Sequence, residues 1–395
     1  MSDTFCILPW IHLATHPNGT ATLCCQVDTI NKLGFAKNEQ ILDLNTNQNV
    51  EEFMNSDEYK KTRLQMLNGE QPKACAKCFE HEAAGSKSKR IYDTYELHPD
   101  FGFEEAKRLT AEDGSIDVAK TLSYVELRLG NLCNVKCKTC NPASSSSWYS
   151  DYKKLEAQVK WVPSYRDITN ADRKTMFSWC ENWAFYESLL KYAGNLKELY
   201  INGGEPTLID LHGKFLDQLI ELDYAKNITL SYSINMTTPC DKYIERWKNF
   251  KQVIIKASID DVGEKNQYIR TGTKWDAVIR NLDAIVETNF KIEIMQTISA
   301  FNLDTLIDLS HFMNQRYGYQ RICMAYNFAK YPEFISIDAI DPEVVENLKA
   351  QITESTVLSD YQKFDLSSKL KIYDFNPSLK AKFQEYKSAL DEIQS

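Results

Sequence analysis

The chain has 395 residues, enough for two or three domains of ordinary size. It is 43% hydrophobic and 26% charged, and no apolar run approaches the length of a membrane span, which argues against a membrane protein. A formal net charge of −9 argues against non-specific nucleic-acid binding, which runs on neutralising phosphates. The opening stretch MSDTFCILPW lacks the positive region and small-residue cleavage site of a signal peptide, so the expected compartment is the cytoplasm. Thiols stay reduced there, and clustered ones among the 11 cysteines point to metal binding rather than disulfides.

Cys6, Cys24, Cys25, Cys75 and Cys78 lie in the first 80 residues. By spacing alone, four thiols of this group suit a tetrahedral structural zinc site. From Thr121 the pattern changes to short β-rich runs alternating with helical stretches. Strands are expected at Ser123–Leu129, Leu196–Gly203, Asn227–Asn235, Lys251–Asp260, Lys291–Ser299 and Arg321–Phe328. Between them, segments such as LHGKFLDQLIEL and KWDAVIRNLDAIVET place apolar residues at three- and four-residue steps. Six strands alternating with helices predict an α/β protein with a parallel sheet, wound by right-handed crossovers into an open or partial barrel. Sites in such sheets form at the C-terminal ends of the strands.

The first crossover, 141–195, is longer than a simple helical return needs and holds four of the seven tryptophans: Trp148, Trp161, Trp179 and Trp183. It reads either as an extra helical pair with its own small core or as a wall over the site. The serine run Ser144–Ser147 reads as a helix entry or flexible turn. After Tyr331 the chain is polar and helix-like, with an Asp-Pro helix start in DPEVVENLKAQI and a fraying end. Expected boundaries are a cysteine module at 1–90, a linker at 91–120, the barrel at 121–330 and a helical C-terminal tail at 331–395. Cys180, Cys240 and Cys323 are isolated and expected as buried small hydrophobes. His12, His16 and His81 are expected as surface or core residues rather than ligands.

The segment RLGNLCNVKCKTCNP sets Cys133, Cys137 and Cys140 three and two residues apart, directly after the first barrel strand. Three thiolates cannot close a structural zinc site, and no histidine lies between His98 and His212 to complete one. A 4Fe–4S cube normally takes four thiolates, so three would leave one iron open. With NGGEP (Asn202–Pro206) after the second strand, SID (Ser258–Asp260) ending the fourth and YIRTGTKWD (Tyr268–Asp276) entering the next helix, the chain resembles the radical S-adenosylmethionine (SAM) enzymes. The resemblance covers about Leu122 to Phe328 and implies a partial (β/α)6 TIM-like barrel.

That resemblance implies a 4Fe–4S cluster on Cys133, Cys137 and Cys140, whose open iron takes the methionine end of SAM. It implies SAM contacts from Gly203, Gly204, Glu205 (ammonium), Ser258 and Asp260 (ribose) and Arg270 (carboxylate), with Ser233 and Asn235 as further candidates. Reduction of SAM to a 5′-deoxyadenosyl radical and hydrogen abstraction from a substrate would follow, with an external one-electron donor such as flavodoxin or ferredoxin. Where the family usually has an aromatic residue before the third cysteine, this chain has Thr139.

The first cysteine group is similar to the SPASM/twitch modules of such enzymes: Cys6, then Gly19, then Cys24, then a distant Cys75-x-x-Cys78. The implied strand–turn–strand has Asn18-Gly19 at its tip, a hairpin signal that brings Cys6 and Cys24 together. Cys6, Cys24, Cys75 and Cys78 would hold a second, auxiliary 4Fe–4S cluster with no open site, with Cys25 an alternative to Cys24. Such modules commonly follow the barrel; here the group precedes it. Enzymes of this kind mostly act on peptides or protein side chains, and others on small molecules. A nucleotide, sugar or other small-molecule substrate stays open, as does a different class: an iron–sulfur electron-transfer protein or a zinc-stabilised interaction protein. The catalytic residues are not identified.

Overall fold

The structure, a computed structural model, describes residues 4–27, 36–37, 40–83 and 87–394. β1 (His12–Thr15) and β2 (Ala21–Thr22) form an antiparallel hairpin whose turn carries Gly19 at φ +86°, a conformation that a Cβ disfavours. Then come the six barrel strands: β3 (Tyr124–Leu129), β4 (Glu198–Gly203), β5 (Thr229–Ile234), β6 (Gln252–Ser258), β7 (Lys291–Ile298) and β8 (Cys323–Phe328). Each lies within the run expected from the sequence. They are parallel, in the order β8-β7-β6-β5-β4-β3. Helices Asp210–Glu221, Asp241–Trp247, Trp275–Val286 and Asp308–Tyr317 lie between successive strands.

The hairpin is not a separate bead. β1 pairs in parallel with β3, His12 opposite Tyr124 and Ala14 opposite Glu126, so the sheet continues through β3 to β1 and β2. The opposite edge, β8, is met by helix Asp360–Leu370, where Lys369 Nζ donates to the Tyr326 carbonyl at 2.9 Å.

Side chains alternate across a strand, and here the two faces differ sharply. Leu127, Ile201, Leu230, Tyr232, Ile255 and Ile294 are fully buried on one face, in the main core. On the other face Glu126, Arg128, Tyr200, Asn202, Lys256 and Glu293 line a cavity. Parallel strands covered on both faces read as unbroken apolar runs. The polar alternation here therefore marks a lumen rather than a packed barrel interior.

The long first crossover divides its tryptophans between two cores. Trp179 joins the main core and donates from Nε1 to the Pro17 carbonyl at 2.9 Å. Trp148, with Tyr152 and Leu155, joins a second core made with Phe301, Phe334 and the last helix, Pro377–Gln394. The crossover is thus neither a self-contained pair nor only a wall, although Tyr165 does reach the cavity. The last helix is docked through Phe383, Tyr386, Ala389 and Leu390 rather than frayed.

Residues 91–120, expected as a linker, fold into the body. Thr94 Oγ1 accepts from the Ile7 amide at 3.2 Å, while Tyr92 and Asp93 line the cavity. Cys180 and Cys240 are buried as expected, but Cys323 is exposed, because it starts β8 at the sheet edge. Among the described residues no helix is long and apolar enough to cross a membrane.

Candidate iron–sulfur and SAM site

The loop after β3 is shaped by its own backbone and by serines. The Cys140 amide donates to the Cys137 carbonyl at 2.9 Å. Ser145 Oγ donates to the Val135 carbonyl at 2.8 Å and Ser147 Oγ to the Cys133 carbonyl at 2.6 Å, so the serine run pins the loop rather than loosening it. Trp148 Nε1 donates to the Cys137 carbonyl at 3.1 Å. The three thiols are half-buried and electrostatically coupled to one another. Burial pushes all three upward as free thiols, Cys140 to about 11, so only a bound metal would hold them as thiolates at neutral pH.

Lys136–Cys137 pairs antiparallel with Arg270–Thr271, which sets Arg270 opposite Cys137. Burial opposes the Arg270 charge, but Cys137 and Asp260 outweigh it and keep the guanidinium a cation. Its Nη1 donates to Asp260 Oδ2 at 3.0 Å, and its buried Nε has no partner among the described residues. A buried cation with a spare donor, facing three thiols, suits an anionic group. Asp260 has both oxygens engaged, with Oδ1 accepting from the Thr297 amide at 2.8 Å. It thus orients Arg270, and with two of about four acceptor positions used it keeps capacity for a further donor.

Gly203 and Gly204 differ from expectation. The space a Cβ would need is filled by backbone: at Gly203 by the last residue of β3, with the Leu129 nitrogen at 2.6 Å, and at Gly204 by the cysteine loop, at the Leu132 carbonyl. The Glu205 amide donates to that Leu132 carbonyl at 2.7 Å. The glycine pair therefore lets the end of β3 and the loop lie on the end of β4, while Gly203 also borders the cavity. Glu205 is buried, accepting from Thr207 Oγ1 at 2.6 Å and the Asn235 amide at 2.7 Å, and burial holds its carboxyl above the usual range. A carboxylate has about four acceptor positions, so capacity for one further donor remains. Asn235 Nδ2 donates to Asn134 Oδ1 at 2.9 Å and lies 4.0 Å from Cys133 Sγ. Ser258 is half-buried at the end of β6. Ser233 shares a 2.7 Å hydrogen bond with Tyr200, away from the cysteine loop.

In the N-terminal module Cys6 couples to Cys75 and Cys78, and Cys24 to Cys6. Cys75, pushed up to about 12 by burial, couples to Cys24 and Cys78. These four form one neighbourhood. Cys25 couples to its neighbour Cys24 as well, but it is exposed and also lines the cavity near Glu126, Lys89 and Arg128. His12 is buried, His16 half-buried and His81 exposed; burial lowers His12 to about 4, so it is neutral. Among the described residues no set of three or more His, Cys, Asp and Glu side chains closes on a single metal ion.

A cavity of about 1710 Å³ runs from Asn141, Ser144 and Gly203 beside the cysteine loop to Cys25, Ala76 and Lys77 at the module. Its charges come in pairs: Lys89–Asp93 at 2.7 Å, Arg128–Glu126 at 3.2 Å and Lys256–Glu293 at 2.6 Å. Burial opposes the Glu126 charge, but Arg128, with Lys89, more than offsets this and keeps the carboxyl anionic. Glu198 is pushed up to about 7, by burial and then by Asp93. Sequence reading passed over these lumen residues. Their signal was present as polar residues at alternate positions late in each run, Glu126 and Arg128 in YVELRL and Lys256 and Ser258 in VIIKAS.

Three thiols in a strand-end loop, four more in an attached hairpin module and an unclosed parallel barrel define an iron–sulfur protein of the open-barrel kind. The family comparisons agree. The radical SAM superfamily matches residues 127–314, and the SPASM iron–sulfur cluster-binding domain matches residues 6–79. The chain thus carries a radical SAM domain and, ahead of it, an SPASM domain; the cofactors of these families are 4Fe–4S clusters and SAM.

No match was found among curated proteins. Similar solved structures include native anSMEcpe with bound AdoMet: 17% identity, 59% of this chain and 62% of that one, TM-score 0.36. SuiB of Streptococcus suis bound to the precursor peptide SuiA is another: 14% identity, 75% and 63% coverage, TM-score 0.35. TYW1 with a lysine-pyruvate adduct is a third: 16% identity, 58% and 72% coverage, TM-score 0.31. The chain spans about three-fifths of the length of the anSMEcpe structures it matches.

Proposed function

We propose that this protein is a radical SAM enzyme acting on a peptide or protein side chain held in the barrel lumen. Cys133, Cys137 and Cys140 would hold the SAM-binding cluster, with Arg270 and Glu205 facing SAM's carboxylate and ammonium. Cys6, Cys24, Cys75 and Cys78 would hold the auxiliary cluster. When bound, the core cluster and SAM supply a 5′-deoxyadenosyl radical that abstracts a hydrogen atom from an unactivated carbon.

The observation that carries the reading is a cavity that runs from residues next to the three-cysteine loop, Asn141, Ser144 and Gly203, to residues next to the module's thiols, Cys25, Ala76 and Lys77. At about 1710 Å³ it exceeds the roughly 300–1,000 Å³ of a drug-sized ligand pocket, leaving room for SAM and a peptide segment together. The chain's own part is positional. Glu126–Arg128 and Lys256–Glu293 present fixed hydrogen-bonding groups from opposite walls, and Tyr165, Tyr200 and Tyr331 enclose the space between. Orientation and exclusion of water are what a radical step asks of a protein. Reduced thiols in both sites accord with a cytoplasmic setting and an external one-electron donor.

The test is anaerobic. Reconstituted protein with dithionite and SAM should release methionine and 5′-deoxyadenosine; release of neither overturns the reading. Offered a deuterated cell extract split by size, the enzyme should move deuterium into 5′-deoxyadenosine from the peptide fraction. Transfer from the small-molecule fraction alone would replace the peptide with a metabolite.

A further inference from the structure

The last helix reaches the cysteine loop from behind. Lys138, between Cys137 and Cys140 in sequence, is 2% exposed despite its charge. Its Nζ donates to Gln394 Oε1 at 3.0 Å and to Asp391 Oδ1 at 3.4 Å. It also lies 4.3 Å from the centroid of the Tyr268 ring. Burying an ammonium is costly unless it is paired, so this arrangement is held by partners that the final helical turn provides.

The same two residues also grip the facing strand. Tyr268 Oη donates to Asp391 Oδ1 at 2.9 Å, and Thr271 Oγ1 donates to Gln394 Oε1 at 3.1 Å. Tyr268 and Thr271 flank Arg270, whose backbone is paired with that of Cys137, and the Lys138 amide donates to the Ile269 carbonyl at 2.7 Å. One helical turn thus ties both strands of the short ribbon that sets a candidate cluster ligand opposite a candidate SAM-binding cation. On the ribbon's other strand end, Lys136 is paired with Asp151 of the insertion at 2.5 Å.

We propose that Asp391 and Gln394, acting through Lys138 and Thr271, are positioning residues that keep Cys137 in register with Arg270 and so set the affinity of the core site for SAM. This rests on the reading of the cysteine loop as a SAM-binding cluster site. The helix is then part of the site although its polar anchors are some 250 residues from the loop in sequence, 253 for Lys138–Asp391.

The test uses the reconstituted full chain with both clusters loaded. SAM is titrated against the change it causes in the electron paramagnetic resonance signal of the reduced core cluster. Lys138→Met and the double variant Asp391→Asn/Gln394→Ala should each weaken SAM binding about three- to tenfold, less than the loss of a direct charge-assisted contact with SAM, because the effect passes through the ribbon. Lys138→Arg should lose less affinity than Lys138→Met, because it keeps a cation with several donors for the same acceptors. The auxiliary cluster's signal should be unchanged in all of them. If Lys138→Met does not fold, the double variant decides, since it keeps the lysine and opens little space. Wild-type affinity in the double variant overturns the proposal, as does Lys138→Arg binding as weakly as Lys138→Met. A wild-type protein whose cluster ignores SAM would instead overturn the underlying reading of the site.

Discussion

The two cysteine regions use one side chain for opposite ends. In the loop after β3 three half-buried thiols lie beside a buried arginine, and the neighbouring Asn141 and Ser144 border a cavity. In the N-terminal module four thiols face one another, and the fifth, Cys25, is turned into the cavity. Both groups have a buried cation at hand, Arg270 at the loop and Arg90 beside Cys6 and Cys75, so the proposed difference between an open and a closed cluster site rests on ligand count, three thiols against four.

The sharpest way to break that contrast is to delete the open site. Cys133→Ala/Cys137→Ala/Cys140→Ala should abolish 5′-deoxyadenosine formation while the protein retains about four irons, those of one cube. Undiminished cleavage in this variant would end the assignment. The next effect divides Cys24 from Cys25. Cys24→Ala should lose the auxiliary cluster, about half the total iron, whereas Cys25→Ala should keep it. The reverse pattern in iron analysis would shift the ligand by one residue.

A smaller loss is expected at the charged partners of the open site. Glu205→Gln and Arg270→Gln should weaken SAM binding by roughly tenfold to hundredfold, about 1.5–3 kcal/mol, with iron content intact. Calorimetric titration giving wild-type affinity for both would detach SAM from these residues. The least effect lies in the lumen between the regions. Glu198 has a folded value of about 7 against 4.5 ordinarily, so the native state holds its proton more tightly. The stability this gives is present below about pH 4.5 and fades as pH rises through 7. Glu198→Gln should therefore gain on wild type by on the order of 2 kcal/mol between pH 4 and 8 in urea melts. A pH-independent difference would show that this carboxyl titrates normally.

The barrel was legible because its strands announce themselves locally. Runs such as KIEIMQTI and LSYSI need only their own alternation, and the three-cysteine spacing sits in one loop. What sequence reading missed depends on distant pairs. The union of β1 with β3, the docking of 91–120 against Ile7 and the division of the insertion's tryptophans between two cores leave no mark in any short window. The glycine pair shows a subtler failure. NGGEP correctly marked a close approach, but the body approaching is the chain's own backbone. The pairing of Asp260 with Arg270 was likewise not legible, because only the fold brings the two together.

The parallel pairing of β1 with β3 bears on how the molecule is assembled. Thr15 accepts from the amide of Arg128, 113 positions along the chain, so the hairpin cannot complete its ladder until the first barrel strand has emerged. Contacts of such long range slow folding. Until they close, β3 offers an unpaired edge, the feature that seeds sheet-to-sheet aggregation. A fragment beginning at β3 would carry that edge permanently. Expressed alone it should be poorly soluble, and supplying the N-terminal segment as a separate chain should restore it by strand complementation.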